Sequence, residues 1–506
     1  MAVSAAAAKP LPQPFGTSDG SPSPAPKGHP RALYMLFFAE MWERFSYYGM
    51  RALLVLYLVG QLNYPEKDAL KVYGTYTSLV YLTPLVGGWL ADNFLGKRKS
   101  VVIGGTLMML GHLAMAFQPL LYQALGLLII GNGFFKPNIS TMVGELYEQG
   151  DARRDGAFTI FYMGINLGAF FSPLVCGTLG EKVGWHYGFS AAAIGMFCGL
   201  AVFLTWQRLL GTVGFPAGRA VTPDSRLTSR DWLDILAIVG ACTAFVQLVL
   251  VSWKTVDHII GVVPSIVRLA LGLALGLGLV FFAIQRGGGD EGFKAEDWQR
   301  MIVIFALLAF NVVFWAGFEQ AGGTMTLFAD TQTDRHLFGW EIPASYFQAI
   351  NPLGIVLMAP LFSKLWLKLD GGTFPIATPA KMGIGIVILG LGFVVMYFAS
   401  QLAGTGQVGP HWLFTVYVIH TIGELCLSPI GLSMVTKLAP ARIISLFMGL
   451  WFTSSAIANY LAGSLESILH EHHVNIWAFL FAVPIGSGLV LMAMTPMLKK
   501  WMHGRG

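Results

Sequence analysis

The chain has 506 residues, of which 55% are hydrophobic and only 12% charged. Soluble domains carry roughly 25% charged residues, so this composition excludes a string of water-soluble domains and defines an all-α polytopic membrane protein. The net charge of +5 does not point to nucleic acid, because the basic residues are spread through short loops instead of gathered on one patch.

Residues 1–30 are rich in Ala, Pro, Ser and Gly and lack an apolar core. They read as a disordered cytoplasmic tail, neither a secretory signal nor a span. The first apolar segment, 32–60, carries an anomaly. Glu40, Glu43, Arg44, Tyr47, Tyr48 and Arg51 recur at i, i+3, i+4, i+7, i+8 and i+11, which is one stripe of a helix. A charge near the bilayer centre costs roughly 2.5–3.5 kcal/mol on insertion scales. The stripe therefore faces protein or a water-filled cavity, and it marks a candidate functional site.

Further runs long enough to cross about 30 Å of hydrocarbon follow at 69–92, 100–118, 121–144, 156–180 and 187–210, then at 231–252 and 262–285. The last set lies at 301–329, 344–367, 380–401, 411–437, 443–468 and 475–498, which brings the expected total to 14. Of 32 Lys and Arg, only Lys67, Lys71, Lys182, Lys254, Arg268 and Arg335 fall on the side opposite the tail. The positive-inside rule then puts both termini in the cytoplasm.

Polar interruptions at 211–230 and 286–300 divide the chain 6 + 2 + 6. The expected units are an N-terminal six-helix bundle (31–210), a cytoplasmic linker (211–230) and two extra, peripheral helices (231–285). A second linker (286–300) and a C-terminal six-helix bundle (301–500) complete the chain. Both halves contain polar, Pro-interrupted spans, as expected where broken helices line a midplane site.

Charged groups inside the remaining spans are few: Lys136, Glu319 and Glu424, with Asn166 and Asn351 as further strong hydrogen-bonding groups. With the first helix, the spans hold three cations and four carboxylates. Near-balance implies pairing, because an unpaired buried charge is costly. A surplus carboxylate is a natural proton carrier, since burial favours its neutral form. Trp315 shares a helix face with Glu319, and Ser428 with Glu424. Trp315 alone suits core or lipid as well as a pocket, whereas the polar neighbours of Trp451 (Thr453, Ser454, Ser455) tilt it toward a cavity.

Other signals carry less. His112 and His420 read as hydrogen-bonded neutral core histidines. The loop His470-Glu471-His472-His473 lacks a helical metal-binding spacing, and Gly272-x-x-x-Gly276 is a helix-packing pattern. The four cysteines lie in apolar runs without paired spacing and read as small buried residues. No phosphate-binding loop is present, so ATP is not the expected energy source. No metal or cofactor is expected, and neither is an enzyme.

Glu40-x-x-Glu43-Arg44-Phe45-x-Tyr47-Tyr48-Gly49 resembles the first-helix signature of the proton-dependent oligopeptide transporters, a branch of the major facilitator superfamily. Gly87-Gly88-Trp89-Leu90-Ala91-Asp92-Asn93-Phe94-Leu95-Gly96-Lys97-Arg98-Lys99 resembles that family's loop between helices two and three. Phe158 to Phe170 resembles its fifth-helix signature. Phe134-x-Lys136-Pro137-Asn138, Phe347 to Pro352 and Gly423-Glu424 correspond as well. The resemblance runs from about residue 32 to 500, and the 6 + 2 + 6 layout is similar to that of bacterial members. Two departures are visible. The second span holds no histidine, unlike animal members, which leaves protonation to carboxylates as in the bacterial arrangement. Ser100 stands where the loop signature usually has Thr, Ala or Val.

The resemblance implies a major facilitator fold working as a monomer in the bacterial cytoplasmic membrane, importing di- and tripeptides with protons. By matching motif, Arg51 and Lys136 hold the peptide carboxylate, while Glu424, Asn166 and Asn351 hold the amino terminus. Tyr47, Tyr81, Trp315 and Trp451 line side-chain pockets, with Ser428 and Ser455 beside them. Glu40, Glu43, Arg44 and Glu319 couple protons, and Arg51–Glu319 and Lys136–Glu424 are the candidate exchangeable ion pairs. The alternatives are the same machine carrying nitrate or a carboxylate, and a channel or receptor. Cations in one half and carboxylates in the other favour a zwitterion.

Overall fold

The structure is a computed structural model that describes residues 28–148, 151, 153–215, 228–260, 278, 280–282, 284, 285, 292–370 and 376–505. Backbone alone is described at 251–260, 370, 428–430, 432, 433, 441 and 445.

Helix α1, Arg31–Gly60, begins at Pro30 and runs for 30 residues. At about 1.5 Å per residue it is longer than the hydrocarbon thickness. It is followed by α2 (Glu66–Leu82), α3 (Pro84–Leu90), α4 (Lys97–Ala114), α5 (Leu121–Glu145), α6 (Arg153–Ser172), α7 (Trp185–Trp206) and α8 (Ser229–Ile260). The second half contributes α9 (Ala295–Phe318), α10 (Thr324–Thr331), α11 (Ile350–Asp370), α12 (Thr378–Ala403), α13 (His411–Leu438), α14 (Ile444–Glu471) and α15 (Ile476–Trp501).

By length and composition, seven stretches suit a membrane: Arg153–Val183, Trp185–Leu210, Ser229–Leu250, Ala295–Thr331, Ala344–Leu369, Thr378–Ala403 and Ile476–Trp501. The expected spans at α1, α2 with α3, α4, α5, α13 and α14 are also helical but fall outside this uniformly apolar set. In α1 the cause is the polar stripe, which is buried together with most of the helix. The remaining expected span, 262–285, lies almost entirely outside the described residues.

Two main cores form. One joins α1, α2 and α4–α7, with Val246 and Leu250 of α8 added at its side. The other joins α9, α10 and α12–α15. In α8 the side chains of Leu233, Leu236, Phe245 and Leu248 are exposed, and the helix packs on α5 and α2. Its Gln247 donates to the carbonyl of Tyr122 at 3.2 Å.

The halves meet where α2 crosses α14 and α6 crosses α11. In lipid such contacts depend on close packing of small residues more than on hydrophobic drive. A Cβ on Gly74 would lie 2.7 Å from the Cα of Gly463, so only glycine lets these backbones approach. The end of the bundle away from the N-terminus of α1, here the far face, is further tied by side chains. Glu181 accepts from the backbone N–H of Ala344 at 2.7 Å and of Ser345 at 3.0 Å, and from Ser345 Oγ at 2.5 Å. A short hairpin, β1 (His336–Leu337) with β2 (Trp340–Glu341), turns through Phe338 and Gly339, both at positive φ. This is the pattern of a two-residue primed turn. The hairpin's Glu341 accepts from Lys182 of the first half at 2.7 Å.

The long element Ala295–Thr331 is broken. Helix α9 stops at Phe318, Glu319–Gly322 form a 3-10 turn, and α10 restarts at Thr324. Proline is the expected residue at such breaks; here the interruption falls at Gly322-Gly323 instead. Elsewhere prolines do mark irregular backbone: Pro84 separates α3 from α2, and Pro173 opens a π-turn over Pro173–Gly177.

Candidate functional site

The stripe on α1 divides into two groups. Its first group is a dry ion cluster. Arg44 pairs with Glu43, to which it also donates from Nη2 at 2.8 Å, and lies 3.2 Å from Glu40. All three are buried, and Asn132 of α5 donates to Glu43 at 3.5 Å. One cation thus faces two carboxylates, and Glu40 Oε2 has no hydrogen-bond partner among the described residues. Two full negative charges in so dry a place are poorly compensated by one guanidinium.

Two helical turns beyond Arg44 toward the far face, Arg51 reaches across to the second half and pairs with Glu319 in the break after α9. Arg51 Nε donates to the Tyr73 hydroxyl of α2 at 2.5 Å. Lys136 of α5 sits over the Tyr81 ring at 4.7 Å. No ion pair joins it to Glu424 among the described residues. Arg51–Glu319 is therefore formed in this conformation and Lys136–Glu424 is not.

Between the halves lies a cavity of about 410 Å³. Arg51, Tyr81 and Asn166 reach it from the first half, and Trp315, Glu319, Asn351, Glu424 and Trp451 from the second. Asn351 Nδ2 donates to Glu424 at 2.8 Å and to Thr421 at 3.1 Å, which fixes the carboxylate's direction. Trp315 Nε1 donates to Asn311 Oδ1 at 3.1 Å, and Asn311 Nδ2 donates to Ser454 Oγ at 2.9 Å. The ambiguity over Trp315 is thus resolved toward the cavity. Asn166 spends its own amide on the carbonyl of Tyr162 at 2.9 Å and does not touch Glu424.

Other expected residues lie elsewhere. Tyr47 is buried away from the cavity with Arg44 at 5.2 Å from its ring centroid, and its neighbour Tyr48 lines the cavity instead. Lys136 and Ser455 are not among the residues that line the cavity, and the side chain of Ser428 lies outside the described residues. His112 departs from the expected hydrogen-bonded core histidine, while His420 is buried with a backbone hydrogen bond to Leu389, as expected. His112 is fully buried, with neither ring nitrogen bonded among the described residues, whereas His420 forms part of the cavity wall. Sequence reasoning missed Tyr48, Tyr162 and Tyr417 as wall residues and Tyr73 as a partner of Arg51. Tyrosine is common in spans, so only the stripe offered a signal, and only for Tyr48.

Helices apolar enough to cross a membrane, with a charged cavity between two halves, have the architecture of a transporter. The model of the POT family (PTR2) matches residues 98–230 and 263–482, and the chain belongs to that family. It is 37% identical over 487 residues to the uncharacterized transporter YclF of Bacillus subtilis, covering 94% of this chain and 96% of the relative. It is also 37% identical to the peptide transporter YePEPT of Yersinia enterocolitica, covering 90% and 91%. Among solved structures it resembles a peptide transporter POT in complex with sulfate, at TM-score 0.81, 37% identity and coverage of 94% and 97%. A POT family transporter in complex with 5-aminolevulinic acid gives TM-score 0.79, 32% identity and coverage of 93% and 97%. These likenesses bear out the major facilitator fold.

Proposed function

We propose that the chain is a proton-coupled symporter that imports di- and tripeptides by alternating access across the bacterial cytoplasmic membrane, with both termini in the cytoplasm. The observation that carries this reading is the charge layout of the cavity: a cation on α1 of one half and an oriented carboxylate on α13 of the other. A peptide has fixed opposite charges at its ends and variable groups between them. Arg51, with Lys136 behind it, would take the carboxylate. Glu424, oriented by Asn351 and with Asn166 nearby, would take the amino terminus. Aromatic walls at Tyr48, Tyr81, Trp315 and Trp451 would receive side chains without strong selection.

The coupling follows from the ion pairs. Glu319 holds Arg51 while the far face is closed, and its protonation would free the guanidinium for the substrate. Glu40, Glu43 and Arg44 would supply a second proton-responsive cluster. The 6 + 2 + 6 division, with 31–210 and 301–500 as the moving bundles, supports rocking of one half against the other. One proton moving down 100 mV releases about 2.3 kcal/mol, enough for roughly 50-fold accumulation of a neutral peptide.

The test is uptake of labelled dialanine into proteoliposomes under an imposed pH gradient. Saturable uptake that collapses with a protonophore is expected, with competition by other dipeptides but not by nitrate. Diffusive, protonophore-insensitive flux would instead indicate a channel. A second reading, transport of another small zwitterion, is favoured by the likeness to the transporter solved with 5-aminolevulinic acid. That molecule also carries an amine and a carboxylate, and its failure to compete would remove the reading.

A further inference from the structure

We infer that Tyr73 is a positioning residue that keeps Arg51 in place when Glu319 releases it. The hydroxyl of Tyr73, on α2, receives Arg51 Nε at 2.5 Å, whereas Glu319 is gripped by Arg51 Nη2. The two partners use different nitrogens of one planar fork, so either can leave without disturbing the other's bond. Tyr73 is only 1% exposed, and the break in Ala295–Thr331 is shaped around it. A Cβ on Gly322 would stand 1.8 Å from the Tyr73 hydroxyl oxygen and 2.6 Å from its ring carbon. The glycine three residues after Glu319 is therefore the slot into which this hydroxyl fits. Three elements meet at one oxygen: α1 through Arg51, α2 through Tyr73, and the broken helix through Gly322.

A buried guanidinium cannot be left without a partner at low cost. If Glu319 is protonated, Tyr73 still offers a neutral acceptor, and Arg51 stays aimed at the cavity. The surrounding groups do not supply that oxygen. On α1 the Tyr47 hydroxyl has no partner among the described residues, and Tyr48 presents its ring to Arg51 at 5.7 Å. Tyr417 of α13 donates to the carbonyl of Ala321 at 3.1 Å. The remaining titratable neighbours among the described residues are Tyr76 and Tyr81 on α2, Lys136 on α5 and Glu424 on α13, while Glu466 on α14 accepts from Thr324 at 3.4 Å. The part of the inference that concerns transport rests on the peptide-symport reading; the grip on Arg51 does not.

The experiment is thermal unfolding in detergent at one pH, without peptide, for wild type, Y73F, E319Q and Y73F/E319Q. With Glu319 in place Arg51 keeps a partner, so Y73F lowers Tm little; with E319Q it loses its remaining strong acceptor, so Y73F lowers Tm by a clearly larger amount. G322A, which drives the same hydroxyl from the other side, is expected to show the same dependence on the residue at 319. An equal loss of Tm on removing the hydroxyl in both backgrounds overturns the inference, because a merely structural tyrosine would be indifferent to Glu319. In dialanine uptake Y73F is expected to raise KM severalfold with a smaller effect on kcat, and an unchanged KM also counts against the inference. A wild type that takes up no dialanine would sink the peptide reading, while the unfolding cycle would still decide the role of Tyr73.

Discussion

Asn351 gives its amide to Glu424 and thereby turns a carboxylate that could rotate into one that points into the cavity. Removing a hydrogen bond to a charged group costs roughly 1.5–3 kcal/mol, so N351A is expected to raise the KM for dialanine by about tenfold or more with a smaller effect on kcat. A KM within twofold of wild type would mean that Glu424 is oriented by something else. At the same scale, E319Q is expected to lose concentrative uptake, and a variant that still accumulated peptide against a gradient would remove Glu319 from coupling. These charged residues were legible in the sequence because a charge in an apolar run has a large cost that needs a reason. Tyr73 was not, because a tyrosine in a span has no such cost. The choice between Tyr47 and Tyr48 was illegible for another reason. Adjacent helical residues point about 100° apart, and only packing against α2 and α5 fixes which of them meets the cavity.

Among the elements, the far face is held by a carboxylate of one half that caps the start of a helical segment in the other. Glu181 serves two backbone N–H groups and Ser345 Oγ at once, and those donors lose their partner if the halves separate. E181A is expected to cost the closed far face roughly 1–3 kcal/mol. A short bifunctional maleimide should then link K182C to E341C more slowly in the E181A background, and an unchanged rate would show that the staple does not hold the face closed. The neighbouring Lys182–Glu341 pair behaves differently toward pH. The hydrogen bond from Lys182 holds the Glu341 carboxyl below its ordinary value. Its contribution is thus present above the usual carboxylate range and lost only as pH falls through the depressed value. The pair is exposed and weak, so K182Q should leave the pH profile of uptake unmoved between pH 7 and 5.5. A shifted profile would place proton sensing on the surface instead of in the buried carboxylates. Most of these helices were legible as apolar runs. The break at Gly322-Gly323 was not, since the Tyr73 hydroxyl that packs against Gly322 arrives from a helix far away in the chain.

At the scale of the whole molecule, the residues that line the cavity come from the two halves, and none comes from α8. Helix α8 lies against α5 and α2 with much of its apolar surface exposed. In lipid that exposure carries little penalty, and the loss of its packing would remove dispersion contacts more than a hydrophobic drive. The helix donates from Gln247 to the Tyr122 carbonyl, which a helix carbonyl can forgo because it has a second lone pair. The segments flanking the insert, ending at Phe215 and resuming at Gly292, both belong to the near face. With the insert read as the two spans expected from the sequence, removing both preserves the orientation of everything after. A flexible Gly/Ser linker of about 30 residues has a mean reach of about 30 Å, enough to rejoin the halves while letting them rock. Replacing residues 228–291 by such a linker should therefore leave the KM for dialanine at its wild-type value, with any loss confined to thermal stability. A severalfold change in KM in a chain that still elutes as a folded particle would show that the extra helices act on the cavity, through the α2 and α5 surfaces on which α8 rests.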